Sequence, residues 1–248
     1  MSADPYVYPG TTVLRNVRGL RDQAELSWVE DAVSALALAE LADRHLTGRY
    51  DLAHLQAFHR FVFGDLYPWA GQVRTITISK GESMFCLPQY IDGYAADIAA
   101  RLAGQDHLTG LDRPAFLAGL AQEWADLNAL HPFREGNGRA TRALLSQLAR
   151  DAGHSISWQD LDPTVLTTAS ITAQRGDNTG MRALLDRHVT TPAPPPAAEQ
   201  LPAVAGDARR ASFPTPLTEL RSGPATVTTA RTSPPETPPT GRTCGRSR

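Results

Sequence analysis

The sequence predicts a mainly α-helical domain that carries one small β-hairpin. Apolar residues recur at helical spacing through most of the first 189 residues, and helix start and stop signals bracket these stretches. One short segment, residues 73–79, is instead crowded with β-branched residues. The chain has 248 residues, of which 42% are hydrophobic, which suits one domain of ordinary size with or without a tail.

The composition changes near residue 190. Residues 190–248 contain 12 of the 19 prolines and a single aromatic residue, Phe213. Such a segment buries too little apolar surface to offset the entropy lost when it is ordered. We therefore expect a folded domain over residues 1–189 and a disordered tail rich in Pro, Thr and Arg over residues 190–248.

Seven helices are expected in the folded domain. Asp22 and Glu25 form a capping-box signal at the start of the first helix, Pro114 lies in the first turn of the fourth, and Gly153 ends the fifth. A hairpin is expected between the second and third helices, with arms at residues 73–79 and 84–87. The helices are expected at about residues 22–41, 51–66, 89–104, 112–130 and 138–152, with a sixth from residue 162 and a seventh over residues 177–189.

Several classes of protein are excluded by composition. Cys86 and Cys244 are the two cysteines, too few for a disulfide scaffold or a cysteine-based zinc site. No stretch approaches 18 apolar residues and the start of the chain lacks a signal-peptide pattern, so we expect no membrane association and a cytoplasmic location. The tail holds seven arginines and four acidic residues, which leaves residues 1–189 at a net charge of -5 and predicts no direct nucleic-acid binding.

Residues 131–142 combine features suited to binding a polyphosphate. Pro132 ends the fourth helix and places His131 at its end. Gly136 and Gly138 allow a tight turn and a close approach of a ligand to the backbone. Because a helix begins directly afterwards, its first unpaired N–H groups and its dipole form an anion site.

The side chains around this turn strengthen the same interpretation. Arg139 and Arg142 lie on one face of the following helix, where two guanidinium groups suit phosphates. Glu135 offers an oxygen ligand of the kind that Mg²⁺ prefers, and His131 is a general base of suitable pKa. Each residue alone is more often a turn, a cap or a solvated charge, but their convergence at one helix start favours a site.

This run resembles the signature of the Fic family, histidine-proline-phenylalanine-x-(Asp/Glu)-Gly-Asn-Gly-Arg-x-x-Arg, at every defined position. The likeness extends over about residues 6–189 and includes Tyr67-Pro68-Trp69-Ala70-Gly71 before the hairpin. The resemblance implies a helical domain with a β-hairpin flap, here residues 73–87, over the active site. It also implies transfer of AMP from ATP to a Tyr, Thr or Ser hydroxyl of a target protein.

The resemblance assigns roles to individual residues. His131 would deprotonate the target hydroxyl, and Glu135 would hold Mg²⁺ bridging the α- and β-phosphates. Backbone N–H groups of the loop would form the anion hole, and the Asn137 side chain would also touch phosphate. Arg139 and Arg142 would orient the β- and γ-phosphates, with Arg142 counted as catalytic. The other residues expected at the ATP site are Lys80, Gly81, Asn128, Ala129, Leu130, Arg134, Gly136, Gly138 and Gln174.

Other functions stay open. The related Doc proteins transfer a phosphoryl group, but they carry alanine and lysine where Gly136 and Gly138 stand here. Transfer of UMP or phosphocholine cannot be distinguished, because the base pocket is not readable from sequence. A non-enzymatic nucleotide-binding module is the remaining alternative, and the intact His131, Glu135 and Arg142 argue against it.

The resemblance also bears on partners. Many Fic proteins are restrained by a helix with the pattern Ser/Thr-x-x-x-Glu-Gly/Asn, whose glutamate pairs with the second signature arginine. The only glutamate followed by Gly or Asn is Glu135, and His131 stands four residues before it, so the pattern is not found. The resemblance therefore suggests a toxin held by a separate small antitoxin-like protein, or an effector delivered to another cell. The exposed edge of residues 73–79 is expected to dock the target protein by main-chain pairing.

Overall fold

The computed structural model describes residues 4–81 and 83–192. The expected disordered tail therefore lies outside the described residues from residue 193 onward. The described residues contain seven helices, and the prediction of a mainly α-helical fold is confirmed. They are α1 (Gln23–Ala42), α2 (Leu52–Phe63), α3 (Ile91–Gly104), α4 (Arg113–Leu130), α5 (Asn137–Asp151), α6 (Pro163–Ala173) and α7 (Thr179–His188).

Aspartate caps explain why the helix starts were predictable. A carboxylate oxygen of Asp22 accepts a hydrogen bond from the backbone N–H of Glu25 at 2.9 Å, which satisfies one of the unpaired donors of α1. The same arrangement begins three further helices, at Asp51, Asp112 and Asp162. None of the described helices combines the length and the apolar character needed to cross a bilayer.

The core joins α2, α4 and α5. Phe58 of α2, Leu120 of α4 and Leu148 of α5 are fully buried and belong to a single apolar cluster. Burying side chains of this size contributes about 1.5–3 kcal/mol each. The packing of α4 against α5 fixes the distance between the end of one and the start of the other, and the signature loop (residues 131–136) spans that gap.

The predicted hairpin is present but shorter than expected. Strand β1 (Ser79–Lys80) pairs antiparallel with β2 (Ser83–Met84). One further bond crosses the hairpin, from the Phe85 N–H to the Ile78 carbonyl at 3.4 Å. Beyond it both arms bond to the end of α4 and the loop after it: the Arg74 N–H donates to the Pro132 carbonyl at 2.9 Å, and the Cys86 N–H donates to the Ala129 carbonyl at 3.0 Å. The β-branched residues therefore run alongside the end of α4 instead of forming a long ladder.

A second pair of strands was not predicted. Strand β3 (Ser155–Ile156) follows α5 and pairs antiparallel with β4 (Val189–Thr190), which follows α7. Two-residue strands have no alternating pattern to detect. The pairing carries the described fold through Thr190, one residue beyond the boundary that composition indicated.

Candidate active site

Two residues with left-handed backbone conformations bound the signature loop. His131 ends α4 with φ 45° and ψ 58°, and Gly136 precedes α5 with φ 78°. A Cβ atom at Gly136 would lie 2.3 Å from the ring of Phe63 in α2. Glycine is therefore required there both for its conformation and for space. The helix begins at Asn137, one residue earlier than the sequence indicated.

The Asn137 side chain closes the loop. Its Oδ1 accepts from the Phe133 N–H and its Nδ2 donates to the Phe133 carbonyl, both at 2.8 Å, and the side chain is buried. The sequence interpretation gave this amide a phosphate contact; the structure instead bonds both of its ends to Phe133. The backbone N–H groups of residues 137–139 donate to no other group in the described part of the chain, so they are available to bind an anion.

His131 presents one free ring nitrogen. Its Nδ1 lies 3.1 Å from the Asn128 carbonyl, which can only accept, so Nδ1 carries the proton and Nε2 keeps its lone pair. No described residue bonds to Nε2. The imidazole stacks on Phe85 of the flap, with ring centroids 3.7 Å apart and an interplanar angle of 11°.

The surroundings of His131 keep it neutral. Burial lowers its pKa to about 4; the positive charges of Arg74 and Lys80 act in the same direction, and the bond to the Asn128 carbonyl opposes them. At neutral pH the imidazole is therefore unprotonated. A neutral imidazole with a free nitrogen can accept a proton, which is what a general base requires.

Glu135 projects from the loop and can hold a metal ion. Its Oε1 accepts from the Gly136 N–H at 2.9 Å, and its side chain is 47% exposed. No cluster of three or more His, Cys, Asp or Glu side chains exists within residues 4–81 and 83–192 that could bind a metal alone. A single exposed carboxylate beside an anion site fits Mg²⁺ that takes its other ligands from phosphates and water.

The two signature arginines are engaged differently. Arg139 pairs with Glu30 of α1, donates to Ser34 Oγ at 3.1 Å, and lies 4.8 Å above the ring of Phe63. Arg142 forms no hydrogen bond through its guanidinium and no ion pair with any described residue. Burial, and then the charge of Arg139, lower the pKa of Arg142.

The guanidinium of Arg142 lies over the start of α5. Its Nη1 is 3.3 Å from where a Cβ on Gly138 would stand. An anion seated on the first turn of α5 would therefore meet this guanidinium directly. Charge-assisted bonds of this type are stronger than neutral ones.

The remaining predicted site residues divide into two groups. Lys80, Gly81 and Gln174 line one cavity of about 500 Å³ between the flap and α6. Asn128 touches the site through its carbonyl bond to His131. Contact of these four residues with a nucleotide stays a prediction.

The other group is committed elsewhere. The side chain of Arg134 pairs with Asp4, with its Nη2 2.9 Å from Oδ2. Leu130 is 1% exposed and packs in the core, and the Ala129 carbonyl accepts from the flap at Cys86. In this structure these groups already have partners, and their contact with ATP stays a prediction.

Three residues that support the site were missed from sequence. His59 of α2 accepts from the Gly71 N–H through Nδ1 at 2.9 Å, and its Nε2 donates to the Glu135 carbonyl at 2.8 Å. Arg74 bonds to the His131 carbonyl, and Glu30 holds Arg139. All three come from segments far from the signature in sequence, and no local pattern distinguishes them.

A histidine at a helix end, followed by a tight loop, an exposed carboxylate and a helix start flanked by two arginines, is an arrangement that suits the binding of a nucleotide. Residues 49–149 match the model of the Fic/DOC family. The chain belongs to this family, and the prediction is confirmed.

Two relatives and one solved structure indicate how far the similarity extends. The chain is 42% identical over 189 residues to protein adenylyltransferase VbhT of Bartonella schoenbuchensis, a match that covers 76% of this chain and 40% of VbhT. It is 41% identical over 188 residues to the probable protein adenylyltransferase y4lH of Sinorhizobium fredii, covering 75% and 96%. The structure of the effector BepC from Bartonella tribocorum with bound AMPPNP gives a TM-score of 0.70 at 25% identity, covering 76% and 97%.

Proposed function

We propose that the chain is a protein adenylyltransferase, which transfers AMP from ATP to a Tyr, Thr or Ser hydroxyl of a target protein and releases diphosphate. The observation that carries the proposal is the neutral His131 imidazole with a free Nε2, at the end of α4 from which the signature loop leads into α5. Relatives named protein adenylyltransferases and a neighbour that binds AMPPNP support it.

The reaction follows from the groups around the loop. Nε2 of His131 takes the proton of the target hydroxyl as its oxygen attacks the α-phosphorus of ATP. The new P–O bond replaces the bond to the β-phosphate oxygen, and diphosphate leaves. The N–H groups at the start of α5 bind the charged phosphates, and Glu135 is the residue that would hold Mg²⁺. That ion, when bound, would neutralise phosphate charge, and electrostatic stabilisation of this kind supplies much of the acceleration.

The arginines take separate parts in this scheme. Arg142 is free to bind the terminal phosphate and to hold the diphosphate as it leaves. Arg139 is held by Glu30 and contributes a fixed positive charge at the β-phosphate. The cavity lined by Lys80, Gly81 and Gln174 receives the base and sugar of the nucleotide.

The flap is the proposed docking site for the target. The backbone N–H groups of residues 76–78 have no partner among the described residues, so this edge can pair with an extended peptide. Because Phe85 of the same flap stacks on His131, a peptide bound there would bring its hydroxyl towards the base.

The chain has a groove in which we propose that an antitoxin-like partner binds. A cavity of about 640 Å³ lies between α1, α5 and α6, lined by apolar side chains such as Leu38 and Trp158 and by both Arg139 and Arg142. We propose that a small separate protein, with an apolar helix and an acidic side chain directed at Arg142, occupies this groove and blocks the γ-phosphate. A toxin or effector inhibited in this way would act in the cytoplasm, or in a cell to which it is delivered.

Radiolabelled ATP tests the proposed function. The full chain is incubated with cell lysate and either α- or γ-labelled ATP, beside His131→Ala, Arg142→Ala and the surface control His45→Ala. Label on protein from the α-position only, lost in His131→Ala and retained in His45→Ala, is the expected result. Label from the γ-position only would indicate Doc-type kinase chemistry, and ATP binding without label from either position would favour a nucleotide-binding module.

A further inference from the structure

Arg74, in the flap, is a fully buried arginine. It is 1% exposed, and it forms no ion pair with any acidic residue in the described ranges. A buried charge without a counter-ion is costly unless its donors are all used. An apolar side chain of similar size would fill the same space without that cost, so the guanidinium calls for an explanation beyond packing.

The guanidinium joins three segments of backbone. Its Nε donates to the His131 carbonyl at 2.8 Å, its Nη1 to the Ile76 carbonyl at 2.7 Å, and its Nη2 to the Cys86 carbonyl. The Arg74 backbone N–H donates to the Pro132 carbonyl at 2.9 Å. One side chain therefore connects the end of α4 with both arms of the flap. The planar guanidinium of arginine, with donors on three nitrogens, can make these bonds together, whereas the single nitrogen of a lysine ammonium cannot.

Two features of His131 depend on these bonds: its left-handed backbone conformation and the stacking of its ring on Phe85. The residue has φ 45°, a left-handed conformation that is unfavourable for a side chain with a Cβ and must be held by its surroundings. Arg74 bonds the carbonyl of that residue directly. It also bonds the carbonyl of Cys86, whose neighbour Phe85 forms the surface on which the imidazole stacks.

We propose that Arg74 is a positioning residue, whose guanidinium holds His131 in its left-handed conformation and holds Phe85 over the imidazole, so that Nε2 stays directed at the target hydroxyl. This inference rests on the proposed function for its effect on turnover. Its structural part concerns only the imidazole and can be measured without turnover.

The charges around His131 agree with this role. Burial is the main cause of the lowered pKa of His131, the positive charges of Arg74 and Lys80 lower it further, and the bond to the Asn128 carbonyl raises it. Phe85, which stacks on the imidazole, is uncharged. Around Arg74 itself, the titratable neighbours are the Cys86 thiol and the Tyr6 hydroxyl. Removing the guanidinium therefore takes away a positive charge and lets the pKa of His131 rise.

Two substitutions separate charge from geometry. Arg74→Met removes both the charge and the fork, whereas Arg74→Lys keeps a charge but can bond only part of the three carbonyls. The exposed Arg49→Met serves as the matched control. For each full-length variant, thermal stability, ATP dissociation constant, kcat, and the pKa of His131 by NMR titration are measured.

The expected result is a fall of about 10²-fold in kcat for both Arg74 variants, the size of effect that a small misplacement of a catalytic group produces. ATP binding is retained, because no phosphate contact is removed. The pKa of His131 rises in Arg74→Met and stays low in Arg74→Lys. Arg49→Met behaves as wild type.

Two results would overturn the proposal. One is wild-type kcat in a folded Arg74→Lys or Arg74→Met. The other is a loss of kcat that parallels loss of stability and of ATP binding while the NMR signals of His131 stay as in the wild type. If Arg74→Met does not fold, Arg74→Lys alone decides between these outcomes. If the wild type transfers no AMP, the proposed function fails, but the NMR titration still tests the contact between Arg74 and His131.

Discussion

His59 near the end of α2 and His131 at the end of α4 occupy closely similar surroundings. Burial is the main reason that the pKa of each imidazole is lowered to about 4. Each bonds a backbone carbonyl and lies against a phenylalanine, with ring centroids 3.9 Å apart for His59 and Phe133 and 3.7 Å apart for His131 and Phe85. The two histidines differ in the hydrogen bonding of one ring nitrogen: both nitrogens of His59 are hydrogen-bonded, whereas Nε2 of His131 has no partner among the described residues.

That difference separates a structural histidine from one that is able to accept a proton. Strongly shifted pKa values gather at active sites, but buried structural groups show them too. Here the lowered pKa makes both imidazoles neutral at pH 7, and only the unbonded lone pair gives His131 the capacity to accept a proton. The useful criterion is thus an acceptor nitrogen without a hydrogen-bond partner on a neutral imidazole.

The largest expected effect is on turnover in His131→Ala. Loss of the base lowers kcat by about 10²–10⁴-fold, while ATP still binds to the start of α5. Initial rates with α-labelled ATP and a separate binding titration measure the two quantities, with His45→Ala as the control. Turnover comparable to wild type would remove His131 from the role of base.

The next effect is on stability in His59→Ala. The substitution leaves the Gly71 N–H and the Glu135 carbonyl without partners and opens a cavity beside Phe133, so we expect the free energy of unfolding to fall by about 4 kcal/mol. Denaturant unfolding measures the change, and His59→Gln, which retains a donor, should lose less. A loss of under about 1 kcal/mol would mean that the two bonds do not hold the loop.

A smaller effect is expected on how stability depends on pH. Unfolded histidine binds a proton below about pH 6.5, whereas His59 and His131 do so in the folded state only near pH 4. These two groups therefore do not change the free energy of unfolding above about pH 6.5. As pH falls from 6.5 to 4 they lower it, by up to about 3 kcal/mol for each group.

Unfolding curves measured across this range test the prediction. His59→Gln and His131→Asn should each flatten the pH dependence by a similar amount, because both residues resist protonation to the same extent. A change in only one of the two variants would show that the two sites are less alike than their burial indicates.

The smallest effect is on the acid side of the rate profile. At pH 5.5 a histidine of ordinary pKa is about nine-tenths protonated and would lose most of its activity as a base. With a pKa of about 4, His131 stays neutral there, so kcat/KM should fall less than about twofold between pH 7 and pH 5.5. A tenfold fall would indicate that the imidazole becomes accessible to water when substrates bind.

The sequence predicted what local patterns determine. Capping aspartates such as Asp22 and Asp162 fixed the helix starts, because the bonds that begin a helix lie within a few residues. The groups of the signature loop were identified for the same reason. The flap was overestimated, because its segment bonds to the end of α4 and β-propensity alone does not reveal the partner.

The rest depended on distant contacts. His59, Arg74 and Glu30 reach the loop from other segments, and nothing near them in sequence marks them as part of the site. Asn137 was expected to touch phosphate, and Arg134 to lie at the ATP site, because of where they stand in the motif. Their actual partners, Phe133 and Asp4, are set by the folded chain.

The close approach of Phe63 to Gly136 makes these two positions a coupled pair. A library of single substitutions at residue 136 would register intolerance to every side chain, because even a methyl group would collide with the aromatic ring. Replacing Phe63 with valine or alanine would remove that collision but would open a cavity in the core, a change that costs about 3–5 kcal/mol for Phe→Ala. The residue at position 136 would still carry the conformational penalty of a left-handed backbone, about 1–2 kcal/mol. Directed evolution of this loop should accordingly randomise both positions together.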